Sequence, residues 1–144
     1  LQSGNAVLDS DLPEGALLAA AAGAYEKRFG FACDITVRNA DELRALVQNL
    51  PFSREEIARA EAGDPGVTHL YTYFLQEPPT IGDAARLAGN EGDRVQPGAR
   101  EWYLLCGQSI RRSKAAARLA AACPTATARS WNTAQRLYNW VCEP

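Results

Sequence analysis

Thr68-His69-Leu70-Tyr71-Thr72-Tyr73-Phe74-Leu75 is the stretch that decides the fold. β-Branched and aromatic residues dominate it. They alternate, with His69, Tyr71 and Tyr73 on one face and Leu70, Thr72 and Phe74 on the other, which predicts a strand. Downstream, Pro78 to Leu87 predicts a helix that starts on a proline. Asp93 to Gln96 and Glu101 to Cys106 predict two strands joined by a turn at Pro97-Gly98. Ser113 to Ala122 reads as an alanine-rich helix and Ala126 to Ser130 as a short strand. Asn132 is expected to cap a last helix that buries Leu137, Trp140 and Val141.

In order, these elements are β-α-β-β-α-β and a helix, the ferredoxin-like split βαβ pattern, whose antiparallel sheet carries its helices on one face. Upstream the pattern is shorter. Leu1 to Asn5 reads as the tail of a strand entering a turn at Ser3-Gly4-Asn5, and Ala6-Val7-Leu8 as the returning strand. Pro13 and Glu14 open a helix with Leu17, Leu18, Ala21, Ala22, Tyr25 and Phe29 at helical spacing, ended by Gly30. Phe31 to Val37 predicts a strand. Asn39 or Asp41 caps a short helix with Leu43, Leu46 and Val47 on its apolar face, stopped at Asn49-Leu50-Pro51. Residues 53–66, polar and glycine-bearing, are expected to be a connection with one helical turn. The expected architecture is therefore α+β, with tandem ferredoxin-like units. Residues 1–52 form a first unit truncated at its N-terminus, and residues 67–144 form a second unit with its final helix. The open sheet edge of the first unit predicts self-association.

With 144 residues, 47% hydrophobic and 22% charged, the chain has globular composition. Its longest apolar run, Ala16 to Ala22, is far short of the roughly 20 residues of a membrane span, and no leader precedes it, so the expectation is a cytoplasmic protein with no membrane contact. Cys33, Cys106, Cys123 and Cys142 are scattered without a C-x-x-C pair, and the single histidine is His69. Four reduced thiols, no metal and no cofactor are expected. Net charge is −2, which argues against a protein coating nucleic acid. The charge is uneven, however. Trp102 to Val141 contains no acidic residue but holds Arg111, Arg112, Lys114, Arg118, Arg129 and Arg136.

Two segments of this basic half run from a strand into a helix. Gly107-Gln-Ser-Ile-Arg-Arg-Ser-Lys114 offers backbone N–H groups at a helix start with cations beside them, the requirement of an anion site. It lacks the second glycine and the Gly-Lys-Ser/Thr order of a P-loop. Ser113 serves equally well as the N-cap of the helix. In Arg129-Ser130-Trp131-Asn132-Thr133, Arg129 has the planar fork that clamps phosphate or carboxylate, while Asn132 and Thr133 are explained as well by capping. If both segments meet the Gln2-Ser3-Gly4-Asn5 turn, the candidate ligand-binding set is Arg111, Ser113, Lys114, Arg129, Asn132, Thr133, Gln2, Ser3, Gly4 and Asn5. Recognised catalytic sets are missing. Gly107-Gln-Ser109 lacks the closing glycine of a nucleophile elbow, and His69 has no acid or nucleophile beside it in sequence. The acidic Glu55, Glu56, Asp64 and Glu77 read as solvated charges.

Leu1-Gln2-Ser3-Gly4-Asn5-Ala6-Val7, Gly30-Phe31 into Asp34-Ile35-Thr36-Val37-Arg38, Asn49-Leu50-Pro51-Phe52, Ser113-Lys114 and Ala128-Arg129-Ser130-Trp131-Asn132-Thr133 together resemble the bacterial domain-of-unknown-function family 1697. The resemblance runs over essentially the whole chain and implies two ferredoxin-like units with no assigned activity. Ser130 stands where the family usually shows asparagine, and Ile110-Arg111-Arg112 where a glycine-bearing loop is common. The expected function is binding of a small anionic, phosphate-bearing ligand by the basic cluster. A nucleic-acid-binding protein and a phosphoester-directed enzyme are the alternatives.

Overall fold

The computed structural model describes residues 4–89 and 92–143. Among them are six α-helices and a four-stranded antiparallel sheet, an α+β architecture. The order along the chain is α1 (Glu14–Phe29), α2 (Ala40–Gln48), α3 (Arg54–Gly63), β1 (Leu70–Phe74), α4 (Ala84–Ala88), β2 (Arg94–Pro97), β3 (Glu101–Leu105), α5 (Lys114–Ala122), β4 (Thr127–Ser130) and α6 (Trp131–Cys142). The sheet order is β2-β3-β1-β4. β1 is antiparallel to both β3, with Leu70 opposite Leu105, and β4, with Tyr71 opposite Ser130. β3 and β4 consequently run in the same direction and finish at the same end of the sheet.

Alternation along β1 assigns its two faces to two cores. Tyr73 and Leu75 join Leu87, Val95, Trp102, Leu104, Cys106, Ala115, Ala116 and Leu119 beneath α4 and α5. Leu70 and Phe74 join Tyr103 and Leu105 beneath α2 and α6, with Leu43, Leu46, Phe52 and Ala134. The expectation of helices on one face holds for α4 and α5 only. The second face is also apolar, and α2, α3 and α6 cover it, which is why β3 is buried along its whole length.

Capping chemistry sets the helix starts. In α2 the Asn39 side chain accepts the Glu42 N–H at 2.9 Å and the Glu42 carboxylate accepts the Asn39 N–H at 3.0 Å. Ser53 and Glu56 make the same reciprocal pair for α3. Residues 53–66 thus hold a helix of ten residues rather than the expected connection with a single turn. Gly30 ends α1 at φ 79°, a left-handed position suited to glycine. Between β2 and β3, the Glu101 carboxylate folds back to accept the Ala99 N–H at 2.9 Å, so a Cβ on Gly98 would collide with it.

The segments expected as strands before β1 differ most from expectation. Neither Ala6 to Leu8 nor Phe31 to Val37 forms a strand, and Leu1 to Ser3 lie outside the described residues. A strand needs a ladder partner. Here the carbonyls are taken by side chains instead: Gln76 donates to Ile35 O, and Val37 O accepts from Arg38 at 2.7 Å and from Arg100 at 3.2 Å. Arg38 also donates to Leu75 O at 2.7 Å and Arg100 O at 2.5 Å, over the Phe74 ring. Burial and the neighbouring Arg100 charge hold the Arg38 guanidinium below its ordinary pKa. α1 buries none of its residues and is tied by Glu14 to Arg100 at 3.0 Å.

Candidate functional site

The end of the sheet where β3 and β4 finish gathers the polar residues of the C-terminal half. From β3 the chain passes through Gly107 and a 3-10 turn of Ile110–Arg112 into α5. Ser113 is the N-cap. Its hydroxyl accepts the Ala116 N–H at 2.9 Å and donates to Asp93 Oδ2 at 2.7 Å, and the residue is only 6% exposed. The other Asp93 oxygen accepts the Gly107 N–H at 2.9 Å, and Asp64 Oδ2 accepts the Ser109 N–H at 3.1 Å. The donors that an external anion would use in this loop therefore already face two carboxylates of the chain itself. Arg111, Arg112 and Lys114 remain exposed along its outer side.

Ser130 caps α6, accepting the Thr133 N–H at 3.4 Å, with its hydroxyl 3.1 Å from the Thr133 hydroxyl. This replaces the expected Asn132 cap. Asn132 lies one residue inside the helix, exposed, and lines an open groove of about 380 Å³ with Val47, Gln135, Arg136, Tyr138 and Asn139. Arg129 does reach the N-terminal segment, at Gly4 and Asn5. Its Nε donates to Asn5 Oδ1 at 2.8 Å, and its two terminal nitrogens donate to Gly4 O and Ala128 O, each at 2.9 Å. Desolvation lowers its pKa. Gln2 and Ser3 lie outside the described residues.

Two clusters result rather than one. Ser113 and Lys114 begin a helix on the α4–α5 face, while Thr133 and Asn132 belong to α6 on the opposite face, with the sheet between them. Arg129 shares the α6 face because it sits opposite Thr72, whose side chain points away from Tyr71 and Tyr73. The sequence reading placed Ser113 correctly at the start of α5 and missed by two residues at α6, and helical periodicity does not say which face of a sheet a helix covers.

Asp64, Asp93 and His69 were not among the expected site residues, yet they organise this end. His69 is 3% exposed. Its Nδ1 lies 2.8 Å from Cys106 O and its Nε2 2.9 Å from Asp64 O. Cys106 is fully buried, and burial pushes its thiol up to about 12, a state unsuited to a nucleophile. Among the described residues no group of three His, Cys, Asp or Glu side chains has the arrangement of a metal site. No described helix is long and apolar enough to cross a membrane.

No curated protein and no solved structure matches the chain significantly. The model of a family described as protein of unknown function, DUF1697, matches residues 1–103. That span takes in α1 to α4 and most of the β2–β3 hairpin. The chain belongs to the DUF1697 family.

Proposed function

We propose that the protein binds a small anionic, phosphate-bearing ligand without transforming it, through Arg111, Arg112 and Lys114 at the sheet end where β3 finishes. The observation that supports this reading is the exposure of three cationic residues within four positions around the α5 start, in a half-chain with no acidic residue from Trp102 to Val141. Because Asp64 and Asp93 already accept the loop N–H groups, recognition falls to the side-chain forks rather than to the backbone. Arg129, held by Gly4 and Asn5, belongs to this reading as the anchor of the segment at Gly4 and Asn5, with Asn132 and Thr133 beside it on the other face.

The proposed fold in full is a tandem of ferredoxin-like units. The support for it lies in the C-terminal unit alone, in the split βαβ order of β1 to β4 with α4 and α5 on a common face. Self-association is part of the same reading, supported by the exposure of Val7, Leu8, Leu12, Phe29 and Phe31. A cytoplasmic setting fits the four free cysteines.

Titration with inorganic phosphate and a nucleoside monophosphate, followed by calorimetry, tests the binding. Arg111→Ala and Arg112→Ala are each expected to weaken it by about 10- to 100-fold, the usual value of a charge-assisted hydrogen bond. Unfolding midpoints should stay close to that of the parent, because both side chains are exposed. Unchanged affinity in the double variant refutes the site. Binding of single-stranded oligonucleotides with a steep salt dependence, and none of small phosphates, would favour a nucleic-acid-binding protein.

A further inference from the structure

α1 is a helix of 16 residues that buries none of them, and neither core of the sheet includes a residue before Leu43. Beside it lie five of the seven large apolar residues that are exposed among the described residues. Val7, Leu8 and Leu12 lead into the helix and Phe29 and Phe31 close it, each more than half exposed. The Tyr25 ring centre lies 4.6 Å from that of Phe29 and 5.5 Å from that of Phe31, so the closing end is an aromatic cluster open on its outer side. Exposed apolar residues gathered in this way mark contact with another surface.

One face of α1 has the pattern of a helix seam. Gly15, Ala19, Ala22, Glu26 and Phe29 are all exposed and recur at spacings of four and three, as residues do where two helices pack along their length. Charge selects the partner and its direction. Asp9 and Asp11 precede the helix and Lys27 stands in its last turn, all three exposed and without a partner among the described residues. The 16 residues hold these two ends about 24 Å apart, beyond a Debye length of about 8 Å, so each end acts separately. A second copy lying parallel would bring like charges together. An antiparallel copy brings an acidic end to a basic end twice over, and sets the two helix dipoles head to tail.

We propose that a second copy of the chain covers this face, the two α1 helices packing antiparallel about a two-fold axis with Ala19 of each opposite Ala22 of the other and Leu12 opposite Phe29. Glu26 of each copy then faces the first turn of the other helix, where the dipole is positive, and Glu14 of that turn is already held by Arg100. The arrangement rests on the self-association proposed above. It assigns that association to a helix face rather than to a sheet edge, because neither Ala6 to Leu8 nor Phe31 to Val37 forms a strand.

Sedimentation velocity of the full chain at low salt, over a range of protein concentrations, should show a monomer and a dimer in equilibrium. Ala19→Arg should leave only the monomer, and Lys27→Glu should weaken the dimer about tenfold through the loss of two symmetry-related ion pairs. Both positions are exposed, so the circular dichroism of the variants should match that of the parent. Adding Asp9→Lys and Asp11→Lys to Lys27→Glu exchanges the signs of the two ends and should restore the affinity of the parent. A parent chain that stays monomeric overturns this inference and the self-association together. A dimer that tolerates Ala19→Arg, or one that the exchanged charges fail to restore, overturns the α1 arrangement and leaves self-association standing.

Discussion

Three tryptophans illustrate how burial separates roles that a sequence leaves equal. Trp102 is 2% exposed within the α4–α5 core, whereas Trp140 is 53% exposed with Arg136 stacked 5.2 Å from its ring centre. Trp131 is intermediate, half-buried 6.3 Å from the Tyr103 ring. Trp102→Ala should cost about 3 to 5 kcal/mol and Trp140→Ala less than about 0.5 kcal/mol, measured as shifts in the urea midpoint. Spacing had suggested Trp140 for the buried side of the last helix. That side is set by the expected Val141 together with Ala134, Tyr138 and Cys142 against the sheet. The reading of β1 fared better, because strict alternation leaves a strand only two ways to point its side chains. Ser113 was legible as a cap for a similarly local reason. The Arg129 contact to Asn5 spans most of the chain, and no local pattern encodes its geometry.

At the scale of elements, α3 shows how composition can conceal a helix. Arg54 to Gly63 is polar and glycine-terminated, which suggested a linker, yet Ser53-Arg-Glu-Glu56 is a capping-box sequence. Its apolar residues are few, with Ile57 and Ala60 half-buried against the core. Helix formation here depends more on its start than on its face. Ser53→Ala should therefore lower stability by about 1 kcal/mol, seen as a lower thermal midpoint and loss of helical ellipticity. α1 has the opposite character. Its sequence signals were clear, with proline before and glycine after, and it forms as expected without burying a residue. Local signals established this helix, but they carried no information about what it packs against.

For the whole molecule, the two-faced sheet has a consequence at high pH. Burial raises the Cys106 thiol from 9.0 to about 12 and the Tyr73 hydroxyl from 10.0 to about 12. Burial also raises Tyr103, whose hydroxyl donates to Leu46 O at 2.9 Å. The unfolded chain releases these protons at lower pH than the folded chain does. Stability should thus be insensitive to these groups below pH 9.0 and fall as pH rises from there toward about 12. Denaturant midpoints across that range check the sign, and Cys106→Ala should flatten the onset. Sequence reading expected four buried, reduced thiols; all four are free, but only Cys106 is buried, while Cys33, Cys123 and Cys142 are half-buried. It could not rank them, because the ranking follows from how completely α5 and the β-sheet enclose each thiol.

The sheet order also implies a sequence of assembly. β2 and β3 are neighbours in the chain, joined by the Pro97–Arg100 turn, and closing that hairpin loses little chain entropy. β1 must then close across α4 to lie beside β3, and β4 finds β1 only after a still longer excursion through α5. Edge strand β4 and the α6 helix that follows it are therefore the last to dock, and they bring Arg129 to Gly4 and Asn5 only once the rest of the sheet exists. In a chain emerging from its N-terminus during synthesis, the apolar face later covered by α6 stays open until α6 itself has been made, so the time of greatest exposure to misassociation is set by how long α5, β4 and α6 take to follow β3.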